Sequence, residues 1–271
     1  MRAIKMITFI ITVLLILATC IGCGTSEPKE VPDFLEEKAE SEPDDEETEP
    51  KNDSITIILD PGHGGENTGA TADVNGNGMI EYEKDLNMIV ANYMLEILGH
   101  YEGLHVTLTR YGDEDISHEE RAEIAKLFAK ETWSKTVVMI SIHNNANPHT
   151  NAEGVEAFVS VFDEKYDWIA TDLAYEMVDG ISDNFELLNR GVFTRVGRRH
   201  NDWYGIIRNG IARGVPVIIL EQCFMDNPDD ALKVLSSNEK LHKLAETNVR
   251  SIVDFFRLEL RAEFQMIDAL D

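Results

Sequence analysis

The chain has 271 residues, 43% of them hydrophobic and 8% aromatic, which is enough apolar surface for one sizeable core. Its formal net charge of −26 argues against a nucleic-acid partner, because nucleic-acid-binding domains carry clustered Lys and Arg. Of three cysteines only Cys223 lies beyond the first 23 residues, which excludes a disulfide framework in the folded part.

The first 23 residues have the pattern of a bacterial export signal. Two basic residues precede an apolar run, 6–21, that is short for the ~20 residues a membrane-spanning helix needs. The run ends at Gly22-Cys23, which resembles the cleavage site of bacterial lipoproteins, where a cysteine becomes the lipidated N-terminus. We expect lipidation of Cys23, with Cys20 as the competing position and an uncleaved signal anchor as the alternative. In each case the bulk of the protein lies outside the cytoplasm.

An acidic segment, 24–53, follows the signal. Between residues 27 and 53 it contains 13 acidic residues, three lysines and four prolines, a composition that cannot bury enough apolar surface to fold. We therefore expect three regions: a lipoprotein-type signal (1–23), a disordered tether (24–53) and a folded domain (54–271).

Apolar segments of strand length alternate with segments of helical periodicity in the folded domain. Strands are predicted at 55–60, 106–109, 136–142, 155–161 and 217–220. Helices are predicted at 84–98, 117–130, 168–179 and 240–260. This alternation indicates an open α/β sheet with helices on both faces, in which ligands bind beyond the carboxyl ends of the strands.

Three residues capable of metal or acid–base chemistry follow predicted strands: His63, His143 and Glu221. Because the carboxyl ends of parallel strands share one rim, we expect these side chains to converge. Catalytic zinc takes three protein ligands and leaves one position open, so two histidines need a third donor. Glu81 and Glu83, at the start of the first long helix, are both candidates. Glu221 suits a general base beside the open position.

Six motifs occur in order along the folded domain. They are Leu59-Asp-Pro-Gly-His-Gly-Gly65, Glu83-Lys-Asp85 with Leu86-Asn87, Leu108-Thr-Arg110, Ser141-Ile-His-Asn-Asn-Ala146, Gly154-Val-Glu156, and Leu220-Glu221 with Phe224 and Asn227. Together they resemble the motifs of the zinc-dependent N-acetylmuramoyl-L-alanine amidases. The resemblance covers residues 55–256, and the ordered set is far more specific than any one motif.

The resemblance implies one Zn²⁺ per chain on His63, Glu83 and His143, with Glu221 as general base. The Glu-Lys-Asp pattern selects Glu83 over Glu81. The implied reaction is hydrolysis of the amide between the lactyl group of N-acetylmuramic acid and L-alanine of the peptidoglycan stem peptide. The implied fold is α/β, with an open, mixed, mostly parallel sheet of about six strands, helices on both faces and zinc at one rim.

We accordingly expect 54–271 to be the catalytic domain of a peptidoglycan enzyme, lipid-anchored to the outer face of the membrane and facing the cell wall. A monomer is expected, and the sequence leaves room for a regulatory protein partner. A non-catalytic peptidoglycan-binding or regulatory module on the same fold is the alternative.

Substrate contacts are predicted from two further features. Asn145, beside His143, is a candidate to orient a ligand or to donate to the substrate, and loop capping is its alternative role. Six arginines cluster between residues 190 and 213, and because stem peptides carry free carboxylates we expect Arg198 and Arg199 to bind them. For Arg110 and Arg121, which match family positions, a structural salt-bridge role is expected.

The remaining chemical residues receive structural interpretations. Asp73-Val-Asn-Gly-Asn-Gly begins like a calcium-binding loop, but Lys84 occupies the position where a bidentate glutamate is required, so a turn that delivers Glu83 is favoured. Cys223 is expected to be a buried apolar residue. Surface or packing roles are expected for the other six histidines, His100, His105, His118, His149, His200 and His242.

Overall fold

The computed structural model describes residues 52–147, 152–166 and 168–268, which belong to one compact unit, Glu47–Asp271. The signal with Cys23, and the tether up to residue 51, lie outside the described residues and stay predictions. None of the helices in the described ranges is both long enough and apolar enough to cross a lipid bilayer.

Six strands form the main sheet, in the order β4-β1-β5-β8-β6-β7. They are β1 (Asn52–Pro61), β4 (Leu104–Leu108), β5 (Ser134–Asn145), β6 (Val155–Val159), β7 (Asn189–Thr194) and β8 (Val217–Phe224). All neighbouring pairs are parallel except β6 and β8, which are antiparallel. The expected mixed, mostly parallel sheet of about six strands is confirmed.

Helices cover both faces of this sheet. They are α1 (Glu83–Leu98), α2 (His118–Thr132), α3 (Ile169–Phe185), α4 (Gly205–Ala212), α5 (Pro228–Val234), α6 (Asn238–Phe256) and α7 (Ala262–Asp268). Side chains alternate along β1, so that Ile57 and Leu59 join the larger core with α1, α3 and α6, while Ile58 joins the smaller core with α2 and α4. Each face of the sheet therefore has its own apolar cluster.

Strand β7 and helix α4 are among the elements that were not predicted from local pattern. The edge strand β7 is partly exposed and lacks an apolar run, and its position is set by pairing with β6. Helix α4 contains two glycines, which lower helix propensity. One of them, Gly210, allows close packing, since a Cβ there would lie 2.2 Å from Val217 Cγ2. Tertiary contacts therefore override the local signal in both places.

A buried ion pair joins the ends of three strands. Asp60 Oδ1 accepts hydrogen bonds from Arg121 Nη1 (2.7 Å) and Thr109 Oγ1 (2.6 Å), and Oδ2 accepts one from Ser141 Oγ (2.6 Å). The side chains of Asp60 and Arg121 are 2% and 4% exposed. Although burial opposes ionisation, the Arg121 charge and these hydrogen bonds hold the pKa of Asp60 below its usual value. The salt-bridge role expected for Arg121 is confirmed.

Arg110 differs from that expectation, because it forms no ion pair with any described residue. It donates instead to four backbone carbonyl oxygens, those of Pro61, Gly62, Lys84 and Gly112. Arg121 adds hydrogen bonds to the carbonyls of Pro61 and His63. The two arginines therefore hold the chain at 61–63, where β1 leaves the sheet.

Replacing Arg121 by methionine (Arg121→Met) is expected to lower the free energy of unfolding by about 3–5 kcal/mol, since Asp60 would be left buried without its cation. Urea unfolding of the variant and the wild type measures this difference. The matched control is Arg250→Met, because Arg250 pairs with Asp254 at the surface and such pairs contribute about 0–1 kcal/mol. Equal destabilisation by the two substitutions would contradict a special role for the buried pair.

Candidate metal centre

Three side chains from separate elements meet at the carboxyl rim of the sheet. His63 follows β1, Glu83 is the first residue of α1, and His143 lies near the end of β5. Glu83 Oε2 lies 3.1 Å from His63 Nε2, and Glu83 Oε1 lies 3.0 Å from His143 Nδ1. One potential ligand atom from each residue falls within 4.8 Å of the others. Two imidazoles and one carboxylate are a ligand set suited to Zn²⁺.

Glu83 is oriented by its surroundings. The side chain is 4% exposed, and its carboxylate accepts hydrogen bonds from the backbone N–H groups of Ala70 (2.8 Å) and Asn144 (3.1 Å) and from Asn87 Nδ2 (3.3 Å). Burial alone would raise the pKa of Glu83, but the hydrogen bonds with His143 and His63 outweigh burial and hold this pKa well below its usual range. Glu83 is therefore an ionised carboxylate, as a metal ligand must be.

Close backbone approach makes room for the cluster. A Cβ at Gly62 would lie 2.2 Å from His143 Cε1, and one at Gly69 would lie 2.5 Å from Glu83 Oε2. His63 itself has a left-handed backbone, with φ of 61°, which is uncommon for a residue other than glycine. Its ring is oriented by Asn67, whose Oδ1 lies 2.9 Å from His63 Nδ1. The arginine contacts at 61–63 hold this conformation in place.

Glu221, on β8, adds a second carboxyl group to the same cleft. Its Oε2 is buried and has no hydrogen-bond partner among the residues that the structure describes. Burial raises the pKa of Glu221 to about 7, and the acidic neighbours Glu83 and Glu156 act in the same direction against the opposing effect of His143. A buried carboxylate oxygen without a partner beside a His-Glu-His cluster fits a site that takes a divalent cation together with a polar ligand.

The cleft around these groups is a cavity of about 290 Å³. It is lined by the three candidate ligands, Glu221, Ala70, His118, Asn144, Asn145, Ala146, Tyr204, Gly205, Ile206 and Ile219. His118 and Tyr204 were not predicted here. His118 is the first residue of α2, and it also lines a smaller cavity of about 70 Å³ with His63 and His143. His118 is exposed, in agreement with the surface position expected for it, and it lines the cleft as well. No local pattern distinguishes it from the other histidines.

Comparison with known proteins agrees with this geometry. The model of the N-acetylmuramoyl-L-alanine amidase family matches residues 57–254. The chain belongs to this amidase family. It is 29% identical to a probable cell wall amidase, LytH, of Staphylococcus epidermidis over 69% of this chain and 53% of that protein, so it spans about half the length of that relative.

Solved structures share the fold. Cwp6 from Clostridium difficile is 29% identical with a TM-score of 0.64, over 74% of this chain and 29% of that one. An N-acetylmuramoyl-L-alanine amidase from Clostridium difficile 630 is 25% identical with a TM-score of 0.62, over 76% of this chain and 98% of that one. The similarity therefore extends over most of the described residues.

The loop before Glu83 is a turn in this amidase-family chain. Asp73 accepts hydrogen bonds from the backbone N–H groups of Asn77 (3.0 Å) and Gly78 (2.7 Å), and the loop joins β2 (Thr71–Ala72) to β3 (Glu81–Tyr82). Glu81 accepts hydrogen bonds within the loop, from Val74 N and Asn75 Nδ2, and lies outside the metal cluster. The loop oxygens are thus occupied by turn hydrogen bonds, and α1 begins directly after β3.

The predicted substrate residues lie at different distances from the cleft. Asn145 lines the cavity, with its Nδ2 donating to Glu156 Oε1 (2.7 Å) and its Oδ1 accepting from Ala146 N. Arg198 and Arg199 are exposed and do not line the cavity. Cys223 is fully buried, as predicted. The arginine run is not one surface, since Arg190 pairs with Glu156 while Arg213 pairs with Glu119 and Glu123.

The raised pKa of Glu221 predicts that this residue lowers the free energy of unfolding of the metal-free protein at high pH. In the folded state its pKa is about 7, above the ordinary 4.5, so the contribution of Glu221 to the stability of the wild type falls as pH rises from 4.5 to 7. Glu221→Gln removes this dependence and is expected to be more stable than the wild type by roughly 2–3 kcal/mol at pH 8, with little difference at pH 5. Urea unfolding of chelator-treated proteins at both pH values measures this.

A matched control for this experiment is Glu246→Gln, because Glu246 is an exposed carboxylate on α6. A stability difference for Glu221→Gln that stays constant between pH 5 and pH 8 would contradict the raised pKa.

Proposed function

We propose that the protein is a zinc-dependent N-acetylmuramoyl-L-alanine amidase, which hydrolyses the amide between the lactyl group of N-acetylmuramic acid and L-alanine of the stem peptide. The observation that carries the proposal is the convergence of His63, Glu83 and His143 beside Glu221 in one cleft of an amidase-family chain. Each group comes from a different element, and all reach the rim where ligands bind in open α/β sheets.

The residues divide the chemistry between them. His63, Glu83 and His143 would hold one Zn²⁺, which supplies Lewis-acid polarisation of the scissile carbonyl and a lowered pKa for the attacking water. Glu221 takes a proton from that water and delivers it to the leaving amine. Burial raises the pKa of Glu221 in the metal-free protein, and a bound cation would lower that pKa and favour the ionised form that accepts the proton.

The non-catalytic alternative has less support. A binding module has no need for a buried carboxyl group of raised pKa beside three candidate metal ligands, and maintaining such a group destabilises the fold. The site therefore favours catalysis over simple attachment to the wall.

The cellular setting belongs to the same proposal. Similarity to a probable cell wall amidase supports action outside the cytoplasm, on peptidoglycan. Lipidation of Cys23 would then anchor the catalytic domain to the outer face of the membrane, with 24–53 as the tether. A regulatory protein partner and a monomeric state stay predictions.

Purified peptidoglycan incubated with the zinc-loaded protein is expected to gain free L-alanine amino groups without new reducing sugar ends. Glu221→Gln is expected to lose about 10²–10⁴-fold in kcat, the usual contribution of a general base, while keeping its zinc. His63→Ala is expected to lose both zinc and activity, because a three-ligand site cannot spare one ligand. Amino-group labelling, reducing-end assays and metal analysis provide the measurements.

His242→Ala serves as the histidine control, because His242 is half exposed and pairs with Glu246 on α6. New reducing ends would identify a glycosidase instead. Intact zinc binding without hydrolysis of any wall preparation would favour the non-catalytic module.

We further propose that Arg198 and Arg199 bind stem-peptide carboxylates and that Asn145 contacts the substrate at the cleft. Both arginines are exposed in the turn between Arg195 and Trp203, which leads directly to Tyr204 in the cavity wall. A guanidinium group donates two parallel hydrogen bonds to a carboxylate, so an exposed pair beside the cleft suits an anionic peptide.

Reversing both charges, Arg198→Glu with Arg199→Glu, is expected to raise KM for peptidoglycan by roughly three- to tenfold, since each exposed ion pair contributes about 0.2–1 kcal/mol. The value of kcat should change little, because neither residue lines the cavity. Steady-state kinetics against Arg250→Glu with Arg257→Glu, which changes the net charge equally, separates a local effect from a general one. An unchanged KM would remove these arginines from substrate binding.

A further inference from the structure

Three apolar side chains are exposed on the segment 193–203, which leaves β7 toward α4. Phe193, Val196 and Trp203 are 41%, 57% and 44% exposed. The guanidinium carbon of Arg195 lies 4.2 Å from the centre of the Trp203 ring. We call these four residues, Phe193, Arg195, Val196 and Trp203, the Trp203 surface. Exposed apolar groups gathered in this way commonly mark a binding surface.

The Trp203 surface is continuous with the candidate active-site cleft. Tyr204, the next residue after Trp203, lines the cavity beside Glu221. The ring of Phe158 lies 4.8 Å from that of Tyr204 and 5.9 Å from that of Phe193, measured between centroids. A series of aromatic rings therefore leads from the cavity wall to the exposed end of β7.

The backbone that carries this surface is well ordered by hydrogen bonds. Trp203 N donates to Arg195 O (2.8 Å), and Val196 and Asp202 form an antiparallel bridge. The Asp202 carboxylate is buried and accepts hydrogen bonds from Ser160 Oγ and Val161 N, both at 2.8 Å. Arg208 Nη1 donates to the Asp202 carbonyl oxygen (2.9 Å). Because these hydrogen bonds already fix the backbone, binding a ligand would cost little conformational entropy, which favours affinity.

We propose that the Trp203 surface binds a sugar ring of the glycan strand next to the cleft. An aromatic ring held by a stacked guanidinium presents a flat apolar area, and the C–H groups on the face of a pyranose pack against such an area. The assignment rests on the proposed amidase function, because the amide that is cut joins a glycan strand to a peptide. A cleft of about 290 Å³ is too small to enclose that strand, so part of it must lie outside.

The charge of Arg195 complements the glycan product. Hydrolysis of the amide leaves a carboxylate on the lactyl group of the sugar, so this product is anionic, and Arg195 provides a cation on an otherwise acidic protein. Stem peptides are anionic too, so the aromatic face of Trp203, and not the charge, is the feature that selects the sugar.

Intrinsic tryptophan fluorescence of the full chain tests the proposal. The probe is peptide-free glycan of alternating N-acetylglucosamine and N-acetylmuramic acid, which lacks the scissile amide and is therefore titrated into the zinc-loaded protein without turnover. The wild type is expected to show a saturable change in fluorescence. Trp203→Ala is expected to weaken binding by roughly five- to tenfold, as for the loss of one aromatic contact, and Trp203→Phe should retain most of the affinity. Calorimetry measures binding to variants that lack the reporting ring.

Trp168→Ala is the matched control, because Trp168 is 47% exposed, immediately precedes α3 and does not line the cavity. It should bind the glycan as the wild type does. Equal binding by Trp203→Ala and wild type would overturn the proposal, as would a fluorescence change with free stem peptide but not with glycan. Equal affinity for neutral N-acetylglucosamine oligomers would overturn the charge argument for Arg195.

These outcomes are independent of catalysis. Glycan binding without amidase activity would overturn the proposed function and leave the sugar surface intact. Amidase activity without glycan binding at Trp203 would support the proposed function and overturn the sugar-binding role of the Trp203 surface.

Discussion

The buried ion pair between Asp60 and Arg121 is the constraint on which the candidate site depends. Asp60 ends an apolar strand and binds Thr109 and Ser141 from the flanking chain segments, while Arg121 continues to the carbonyl oxygens of Pro61 and His63. A buried ion pair contributes little net stability, but displacing either partner leaves a charge unsatisfied. The chain at 61–63 therefore has one satisfied arrangement, and it is the one that turns His63 toward the cleft. Arg110 reinforces it through carbonyl contacts to the same segment and to Lys84, next to the candidate ligand Glu83.

The two carboxyl groups in this cleft have pKa values that are shifted in opposite directions. Glu83 is buried but accepts hydrogen bonds from backbone N–H groups and lies against two histidines, so it stays ionised. Glu221 is buried with one oxygen unpartnered and with acidic neighbours, so its pKa is about 7. Carboxyl groups with separated pKa values serve different roles in hydrolytic sites, one as a fixed negative charge and one as a proton carrier. This difference arises from neighbours and not from residue type.

The small volume of the cleft implies that the groups for bond cleavage and the groups for polymer binding are different residues. The groups that could act on the amide line a small cavity, whereas the polymer that carries the amide is far larger. On the proposed function, recognition would extend to the surface beyond Tyr204, where Arg195, Arg198, Arg199 and Trp203 lie on one turn. The cations and the aromatic ring of this turn are the groups that we propose for the acidic peptides and the sugars of peptidoglycan. The proposals therefore assign substrate binding and bond cleavage to different residues.

The sequence by itself determined the apolar strands, the amphipathic helices and the candidate groups at strand ends, because periodicity and chain order are local properties. Residue type and spacing left Glu81 and Glu83 as equal candidates for the third metal ligand, and within the sequence only the resemblance to amidases selected Glu83. Tertiary structure decided the features that depend on contacts between distant elements. Strand β7 forms by pairing with β6, and α4 forms through close packing at Gly210. His118 lines the cleft because of where α2 lies. Tertiary structure also divided the arginine run, since Arg190 and Arg213 contact acidic residues 34 and 90 positions away while Arg198 and Arg199 remain exposed. Such contacts depend on strand register and burial, which no local pattern specifies.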